Sequence, residues 1–307
     1  MSGTLRGINA NCRSFADGLY ICVDNRVQAQ LSTPFFAIEA PTFTDLPPLL
    51  FMPQLPQCIV SIVPSQTELL FDLGLTDEVV GLTKYCTHPA DKVAGKALVG
   101  GTKNVQISTV AALKPTLILA NYEENTEADV IALRQFVPVH ITNVNTLPAA
   151  LAMIREVGGL VNRPAEANAL ARQIDEAFAT LRPVTNAPRP SVTYLIWRKP
   201  WMVAARNTFI DAMLTEAGFR NAFADEPKWV RYPVVTEADL KAAAPDLIFL
   251  SSEPYPFRQK HLAELQACCP HAQVRLVDGE LFSWYGSRLR YSPGYFAQLH
   301  NELSGQK

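Results

Sequence analysis

The sequence predicts an α/β protein of two lobes with parallel-rich sheets, joined by one long helix. Three observations predict this fold. Short apolar runs alternate with amphipathic segments, a helix-forming run occupies residues 164–181, and the two flanking halves share a loose internal repeat. The chain has 307 residues, which is enough for two domains.

Composition excludes several classes of protein. Apolar residues make up 48% of the chain and charged residues 18%, as in ordinary soluble globular proteins. The net charge of −2 gives no electrostatic signature of a nucleic-acid or anionic-membrane partner. No apolar run approaches the roughly 20 residues of a membrane-spanning helix. We therefore expect no nucleic acid among its partners.

Six cysteines occur without a CxxC pair or a disulfide framework. Cys268 and Cys269 are adjacent, which is poor geometry for a bridge between them. The pattern favours thiols that are reduced or buried.

The first 55 residues differ from the rest of the chain. They show no sustained helical or strand period, and prolines crowd their end. We interpret residues 1–55 as a leader that is either disordered or untranslated, with translation beginning at Met52 in the second case. Polar residues such as Arg6, Asn9 and Arg13 interrupt any apolar stretch, so we recognise no export signal.

Short apolar runs predict the strands. In the first half these are residues 58–63, 79–82, 116–120 and 137–142; in the second half they are 192–197, 246–250 and 273–277. Strands that alternate with amphipathic segments are typical of parallel sheets covered on both faces.

Capping patterns and apolar spacing predict the helices. Ser65 and Glu68 have the spacing of a capping box, opening a helix with Leu69, Leu70 and Leu73 on its apolar face. Further helices are predicted over residues 126–136, 207–217 and 293–303. The run over 164–181 is rich in Ala, Leu, Glu and Gln and begins at proline, and its helix would be roughly 27 Å long.

A loose repeat relates the halves. A capped short helix over 108–114 stops at Pro115 and leads to an apolar strand and an acidic aromatic loop. The order recurs from Thr236 through Pro245 to Tyr255. The repeat favours two similar lobes.

Three stretches carry a resemblance to a known family: residues 59–69, residues 80–89 and residues 112–118, with 244–248 similar to the last. Over residues 56–300 the chain resembles the helical-backbone (class III) periplasmic substrate-binding proteins, which serve ABC importers of cobalamin, iron-siderophores and haem. The resemblance implies two Rossmann-like lobes, a rigid connecting helix and a ligand in the cleft between them. The implied domains are an N-terminal lobe over 56–148, a linker with the helix over 149–189, and a C-terminal lobe over 190–307.

Ligands of open parallel sheets bind beyond the carboxyl ends of the strands, which selects particular loops here. Aromatic side chains and arginines on these loops suit a large planar ligand with acidic or amide edges. The predicted ligand-binding residues are Ser65, Gln66, Tyr85, His88, Tyr122, Glu124, Trp197, Arg198, Trp201, Trp229, Arg231, Tyr255, Trp284, Tyr285 and Arg288.

The predicted mechanism is reversible capture. The rings of Tyr85, Trp197, Trp229 and Trp284 bury the apolar surface of the ligand. Arg198, Arg231 and Arg288 meet its acidic rim, because a guanidinium pairs bidentately with a carboxylate. The resemblance implies cobalamin, haem, a ferric siderophore or a metal ion as the bound group.

Cys86 and His88 form a candidate metal site, since a thiolate and an imidazole two residues apart can bind a soft or borderline metal. A polar loop with a half-buried thiol is the alternative interpretation.

The chain departs from the family at the residues that contact the transporter. Family members carry one surface glutamate on each lobe that pairs with arginines of the permease, and these positions fall at Ser108 and Ala238 here. Ser108 is expected to cap its helix instead. Both substitutions weaken the case for an ABC permease partner. We expect a monomer, with the periplasm as the family's location and the cytoplasm as the alternative.

Sequence motifs bear on the choice of function class. The sequence has no dinucleotide-binding, P-loop, nucleophile-elbow or zinc-protease motif, so we expect no enzyme. The alternatives to an importer receptor are a cytoplasmic ligand sensor or carrier of the same fold, or a chelatase-like enzyme.

Overall fold

A computed structural model describes residues 58–181 and 189–305 of the chain. The predicted leader, Met52 as a start site, Cys12 and Cys22 all lie outside these residues. The four described cysteines, Cys58, Cys86, Cys268 and Cys269, are free thiols.

The first half forms a parallel sheet of five strands in the order β3-β2-β1-β6-β7. Predicted strands and helices occur here with small changes of boundary. The elements are β1 (Ile59–Ser61), α1 (Pro64–Asp72), β2 (Val79–Leu82), α2 (Ala90–Val93), β3 (Ala97–Leu98), β4 (Gly100–Gly101), β5 (Asn104–Val105), α3 (Ile107–Ala112), β6 (Leu117–Asn121), α4 (Glu127–Arg134) and β7 (Val139–Thr142).

Two helices follow, α5 (Leu147–Leu160) and α6 (Pro164–Leu181). The bounds of α6 are those predicted from its composition. α5 was not predicted, and it packs along α6.

The second half forms a sheet in the order β11-β9-β8-β12-β13, with β10 beside β8. Strands β8, β12 and β13 run parallel, whereas β9 pairs antiparallel with β8 on one side and with β11 on the other. The elements are β8 (Ser191–Trp197), β9 (Trp201–Val203), α7 (Phe209–Glu216), β10 (Arg220–Asn221), β11 (Val234–Val235), α8 (Glu237–Ala243), β12 (Leu247–Ser251), α9 (Leu262–Cys268), β13 (Gln273–Val277), α10 (Glu280–Ser283) and α11 (Ser292–Ser304), with 3₁₀ helices Gln259–His261 and Ser287–Arg290.

The two halves share one apolar core. A single cluster of buried side chains joins Leu69 of α1 and Leu151 of α5 to Ile174 of α6 and to Phe249 of β12. Phe178 of α6 is 1% exposed and lies 6.3 Å from Phe296 of α11, measured between ring centroids. The long helix is therefore part of a continuous core, which limits independent movement of the two sheets.

Two predicted caps are wrong. α1 begins at Pro64 with Val63 as its N-cap, so Ser65 and Glu68 lie inside the helix and form no capping box. The proline, favoured at a first helical position, starts the helix one residue before the serine. α3 likewise has Gln106 as its N-cap, and Ser108 lies in its first turn without a capping bond.

Other caps follow the sequence. Thr236 of the second repeat forms a complete capping box with Asp239, and Thr126 accepts from the Asp129 backbone N–H. Phe136, placed on the predicted apolar face of α4, lies beyond the end of that helix and is 45% exposed.

None of the described helices combines the length and the apolar composition needed to cross a lipid bilayer.

Candidate functional site

The loops that follow the strands of the two sheets face each other. His88, after β2, contacts Glu280, which opens α10 after β13, with 3.3 Å between Nε2 and a carboxylate oxygen. Glu123 and Glu124, after β6, contact Arg231, Tyr232 and Tyr285 of the second half. The cleft between the sheets therefore lies at the strand ends that the sequence selected.

The floor of this cleft is an ion pair that joins α1 to the second half. Arg288 donates two hydrogen bonds to Glu68, of 2.9 and 2.7 Å, and its third nitrogen lies 2.9 Å from Glu280. The guanidinium also lies over the ring of Trp284, 4.8 Å from the centroid. Burial raises the pKa of Glu68 even though Arg288 opposes the shift. The pair is thus held in a poorly solvated place.

The backbones approach closely beside this pair. A Cβ atom added to Gly286 would lie 2.4 Å from the carbonyl oxygen of Ser65, closer than packed atoms allow. Only glycine fits there, so the contact between α1 and the segment that carries Tyr285 is close-packed.

Glu123 bridges the cleft. Its carboxylate accepts from the Arg231 guanidinium and, at 3.1 Å, from the Tyr232 hydroxyl. Its backbone oxygen accepts from the Lys103 ammonium. Burial raises the pKa of Glu123, with Arg231 as the largest opposing influence. Arg231 has a φ of +62°, a left-handed conformation that is costly for an arginine.

Glu124 is the most perturbed carboxyl group of the cleft. It accepts a hydrogen bond from the buried Tyr285 hydroxyl. Burial raises the pKa of Glu124 to about 7; the Tyr285 bond opposes this shift, and the charges of Glu253 and Glu123 add to it. The group therefore changes charge near neutral pH.

A buried polar network holds the loop of Glu123 and Glu124. The side-chain oxygen of Asn121 accepts from both of their backbone N–H groups, at 2.8 and 3.2 Å. Asn125 ties the loop to the carbonyls of Ile62 and Thr102. The predicted ligand-binding set contains neither asparagine, because their role depends on chain segments distant in sequence.

Two predicted residues, Ser65 and Gln66, lie inside the protein beside this network. Gln66 is fully buried and its amide nitrogen donates to Thr142. Its side-chain oxygen and the Ser65 hydroxyl are buried without a hydrogen-bond partner. Both sit at the start of α1, where backbone N–H groups have no intrahelical acceptor.

The predicted tryptophans lie in three places. Trp197 ends β8, Trp201 begins β9 and Tyr255 follows β12, and the three form a half-buried aromatic group in which Trp201 stacks on Phe257. Trp229 packs edge-on against Phe223. Trp284 is 7% exposed, donates to Glu253 at 2.9 Å and meets His88 edge-on.

Two predicted tyrosines of the first half are more open. Tyr85 is 42% exposed and Tyr122 is 51% exposed. They follow β2 and β6, so the first half presents aromatic surface at its strand ends.

Each predicted arginine already contacts a carboxylate. Arg231 contacts Glu123 and Arg288 contacts Glu68 across the cleft. Arg198 makes a bidentate pair with Glu264 of its own half, at 2.8 and 3.1 Å. An acidic ligand would therefore have to replace one of these carboxylates.

The candidate metal pair is not assembled. Cys86 is 4% exposed and its sulfur contacts the hydroxyls of Thr67 and Thr83, whereas His88 faces the second half. Burial raises the pKa of the Cys86 thiol. Within residues 58–181 and 189–305, no three His, Cys, Asp or Glu side chains form a group that could hold a metal ion.

Comparison with known proteins identifies the family. The sequence model of the family described as "Periplasmic binding protein" matches residues 59–267. An uncharacterized ABC transporter substrate-binding lipoprotein, YvrC of Bacillus subtilis, is 29% identical over 247 residues, 76% of each chain. The vitamin B12-binding protein of Pectobacterium carotovorum is 24% identical over 206 residues, 65% of this chain and 73% of that one.

A solved structure agrees. The apo form of the periplasmic heme-binding protein RhuT from Roseiflexus sp. RS-1 superposes with a TM-score of 0.65 at 25% identity, over 79% of this chain and 98% of that one. The predicted two-lobed α/β fold is confirmed.

The matches also decide between the function classes. They are substrate-binding proteins of transport systems and not enzymes, which confirms the expectation of a ligand-binding protein. Because the family model spans more than half of the residues, the chain belongs to the periplasmic binding protein family.

Proposed function

We propose that the chain captures a metal chelate of the cobalamin, haem or iron-siderophore class in the cleft between its sheets and delivers it to an ABC importer. The observation that carries this proposal is the family match over residues 59–267, which spans every strand of the first sheet and β8 to β12 of the second. Relatives named for vitamin B12 and for heme support a large planar ligand.

The aromatic side chains at the strand ends supply the contact surface. Tyr85 and Tyr122 extend from the first half, and the group of Trp197, Trp201 and Tyr255 faces them from the second half in this proposal. Trp229 and Trp284 extend that surface. Rings of this kind bury a large apolar area at a low entropic cost.

Polar groups orient the ligand. The proposed polar contacts to the ligand come from Glu124 and Tyr285. Arg231 and Arg288 join them when each gives up its carboxylate partner in the protein and binds a ligand atom instead. Ser65 and Gln66 contribute polar groups at the start of α1. Arg198 contributes a charge beside Trp201, since its guanidinium carbon lies 5.8 Å from the ring centroid. His88 stays a candidate contact to the ligand or its metal, whereas a direct site of Cys86 with His88 lacks a third ligand among the described residues.

The family supports an extracytoplasmic location and a permease partner. Ser108 and Ala238 are exposed, so both positions are available for contact but carry no acid. A cytoplasmic carrier is the alternative. The mature N-terminus in the native cell distinguishes the two, since an exported protein has lost its leader. The domain boundaries at residues 56, 149 and 190 and the monomeric state stay predictions.

The test is direct binding. Purified protein is titrated with cyanocobalamin, haemin, a ferric siderophore and zinc, with absorbance and heat as readouts. We expect saturable binding of at least one chelate. Absence of binding by all of them contradicts the proposal.

A substitution locates the site. Trp197→Ala removes a ring beside Tyr255 and is expected to weaken binding by about 1–3 kcal/mol. The matched control is Phe136→Ala, an exposed aromatic residue before β7, at the opposite end of the sheet. Equal affinities for the two variants would remove Trp197 from the site.

A further inference from the structure

The carboxylates of the cleft outnumber the cations available to a ligand. Glu123, Glu124 and Glu253, here called the acidic trio, follow β6 and β12 at the facing strand ends. Arg231 pairs with Glu123. Glu124 accepts from the Tyr285 hydroxyl, and Glu253 accepts from the Ser283 hydroxyl at 2.6 Å and from the Trp284 indole at 2.9 Å. Two members of the trio thus accept side-chain hydrogen bonds from neutral donors.

The titratable groups around Glu124 offer little compensation. Cys86, Tyr232 and Tyr285 are neutral, because burial raises the pKa of each. The positive charge of Lys103 lowers the pKa of Glu124. This effect is smaller than the increase caused by Glu253 or by Glu123. The facing groups are Cys86, Lys103, Glu123, Arg231, Tyr232, Glu253 and Tyr285.

Glu123 and Glu253 each repel a negative charge on Glu124. After burial, the main cause, the charges of Glu253 and Glu123 raise the pKa of Glu124 further. Burial likewise raises the pKa of Glu253. Burial and like-charge repulsion already disfavour the ionised carboxylates of this site, and both effects also disfavour a further negative charge on a ligand.

We propose that the acidic trio selects a chelate whose rim carries amides over one whose rim carries carboxylates. This inference rests on the function proposed above. Amide N–H groups can donate to the carboxylate oxygens of the trio, whereas a ligand carboxylate placed there is repelled and must also displace Glu123 from Arg231. Glu123, Glu124 and Glu253 are then specificity-determining residues.

The experiment compares ligands that differ in one group. Cyanocobalamin is titrated beside its monocarboxylic acid, in which one peripheral propionamide is hydrolysed, and beside haemin, which carries two propionates. Measurements are made at pH 8 and pH 6. The variants are Glu124→Gln and Glu253→Gln, and the matched control is Glu176→Gln on the exposed face of α6.

We expect the amide form to bind about tenfold more tightly than the acid at pH 8. The ratio should fall at pH 6, because Glu124 then carries a proton. Glu124→Gln or Glu253→Gln should lower the ratio at pH 8, and Glu176→Gln should leave it unchanged.

Three results overturn the inference. The first two leave the proposed function standing, and the third contradicts it as well. Equal affinity for the amide and acid forms, or tighter binding of haemin, refutes the selectivity and leaves metal-chelate capture intact. An unchanged ratio in both glutamine variants refutes the role of the trio. Failure of every chelate to bind refutes the proposed function itself and the selectivity with it.

Discussion

Replacing Arg288 by methionine tests how the floor of the cleft is held together. Arg288 contacts Glu68 through two hydrogen bonds and forms an ion pair with Glu280, and its side chain is 15% exposed. The Glu68 side chain is 9% exposed. Methionine keeps much of the volume but leaves Glu68 buried without a partner.

The magnitude follows from that burial. Removing one partner of a buried ion pair costs about 3–5 kcal/mol, because the remaining charge is desolvated and unpaired. Exposed pairs cost about 0.2–1 kcal/mol. The control is therefore Arg220→Met, which breaks a 2.8 Å pair with Asp225 whose side chains are 52% and 69% exposed.

Urea unfolding at pH 8, followed by circular dichroism, measures the free energy of unfolding. We expect Arg288→Met to lose about 3–5 kcal/mol and Arg220→Met less than about 1 kcal/mol. The double variant Glu68→Gln with Arg288→Met should recover part of the loss, because the buried residue 68 then carries no charge. The loss in the single variant should shrink as the pH is lowered, because burial raises the pKa of Glu68 and the unpaired carboxylate is relieved by taking up a proton. A loss below about 1 kcal/mol, or no recovery in the double variant, refutes the reasoning.

Three further predictions concern the core and the cleft. Phe178→Ala should lower the free energy of unfolding by about 3–5 kcal/mol, because the ring is fully buried between the halves, whereas Glu176→Ala should change it by less than about 0.5 kcal/mol in the same urea titration. Gly286→Ala should lower the thermal midpoint by several degrees, since its Cβ would meet the Ser65 carbonyl; an unchanged midpoint would mean that the two segments can move apart. Glu124 has a raised folded-state pKa, so the stability its proton provides is present below about pH 4.5 and is lost as the pH rises through about 7. Between pH 5 and pH 8 the free energy of unfolding of the wild type should therefore fall by up to about 3 kcal/mol relative to that of Glu124→Gln. Parallel pH profiles of the urea midpoint for the two proteins would contradict this prediction.

Local patterns predicted most of the regular structure. β2, β13 and α6 have the predicted bounds, because four to eighteen residues of apolar period or helix-forming composition decide them. The helix α5 escaped notice, although its apolar residues are spaced for a helix that packs on α6. The edge strands β9 and β11 are two or three residues long, which is too short for a period to be recognised.

The candidate site was predicted in part. The strand-end rule located the loops of His88, Glu124 and Tyr285, and the structure brings these loops together across the cleft. The predicted ligand-binding set does not contain Asn125 or Glu253, whose side chains make their contacts with other parts of the chain. It also assigned Arg231 and Arg288 to a ligand, whereas both contact carboxylates of the chain.

The sequence by itself determined most of the strands and helices, the central helix among them, and the family resemblance, because each depends on residues close together in the chain. The tertiary structure alone decided which charges meet. Glu68 and Arg288 are 220 positions apart, and Glu124 and Tyr285 are 161 apart. The local sequence pattern carries no information about such pairs. They form only when α5 and α6 bring the two sheets into one core, so that the strand ends of one sheet face the strand ends of the other.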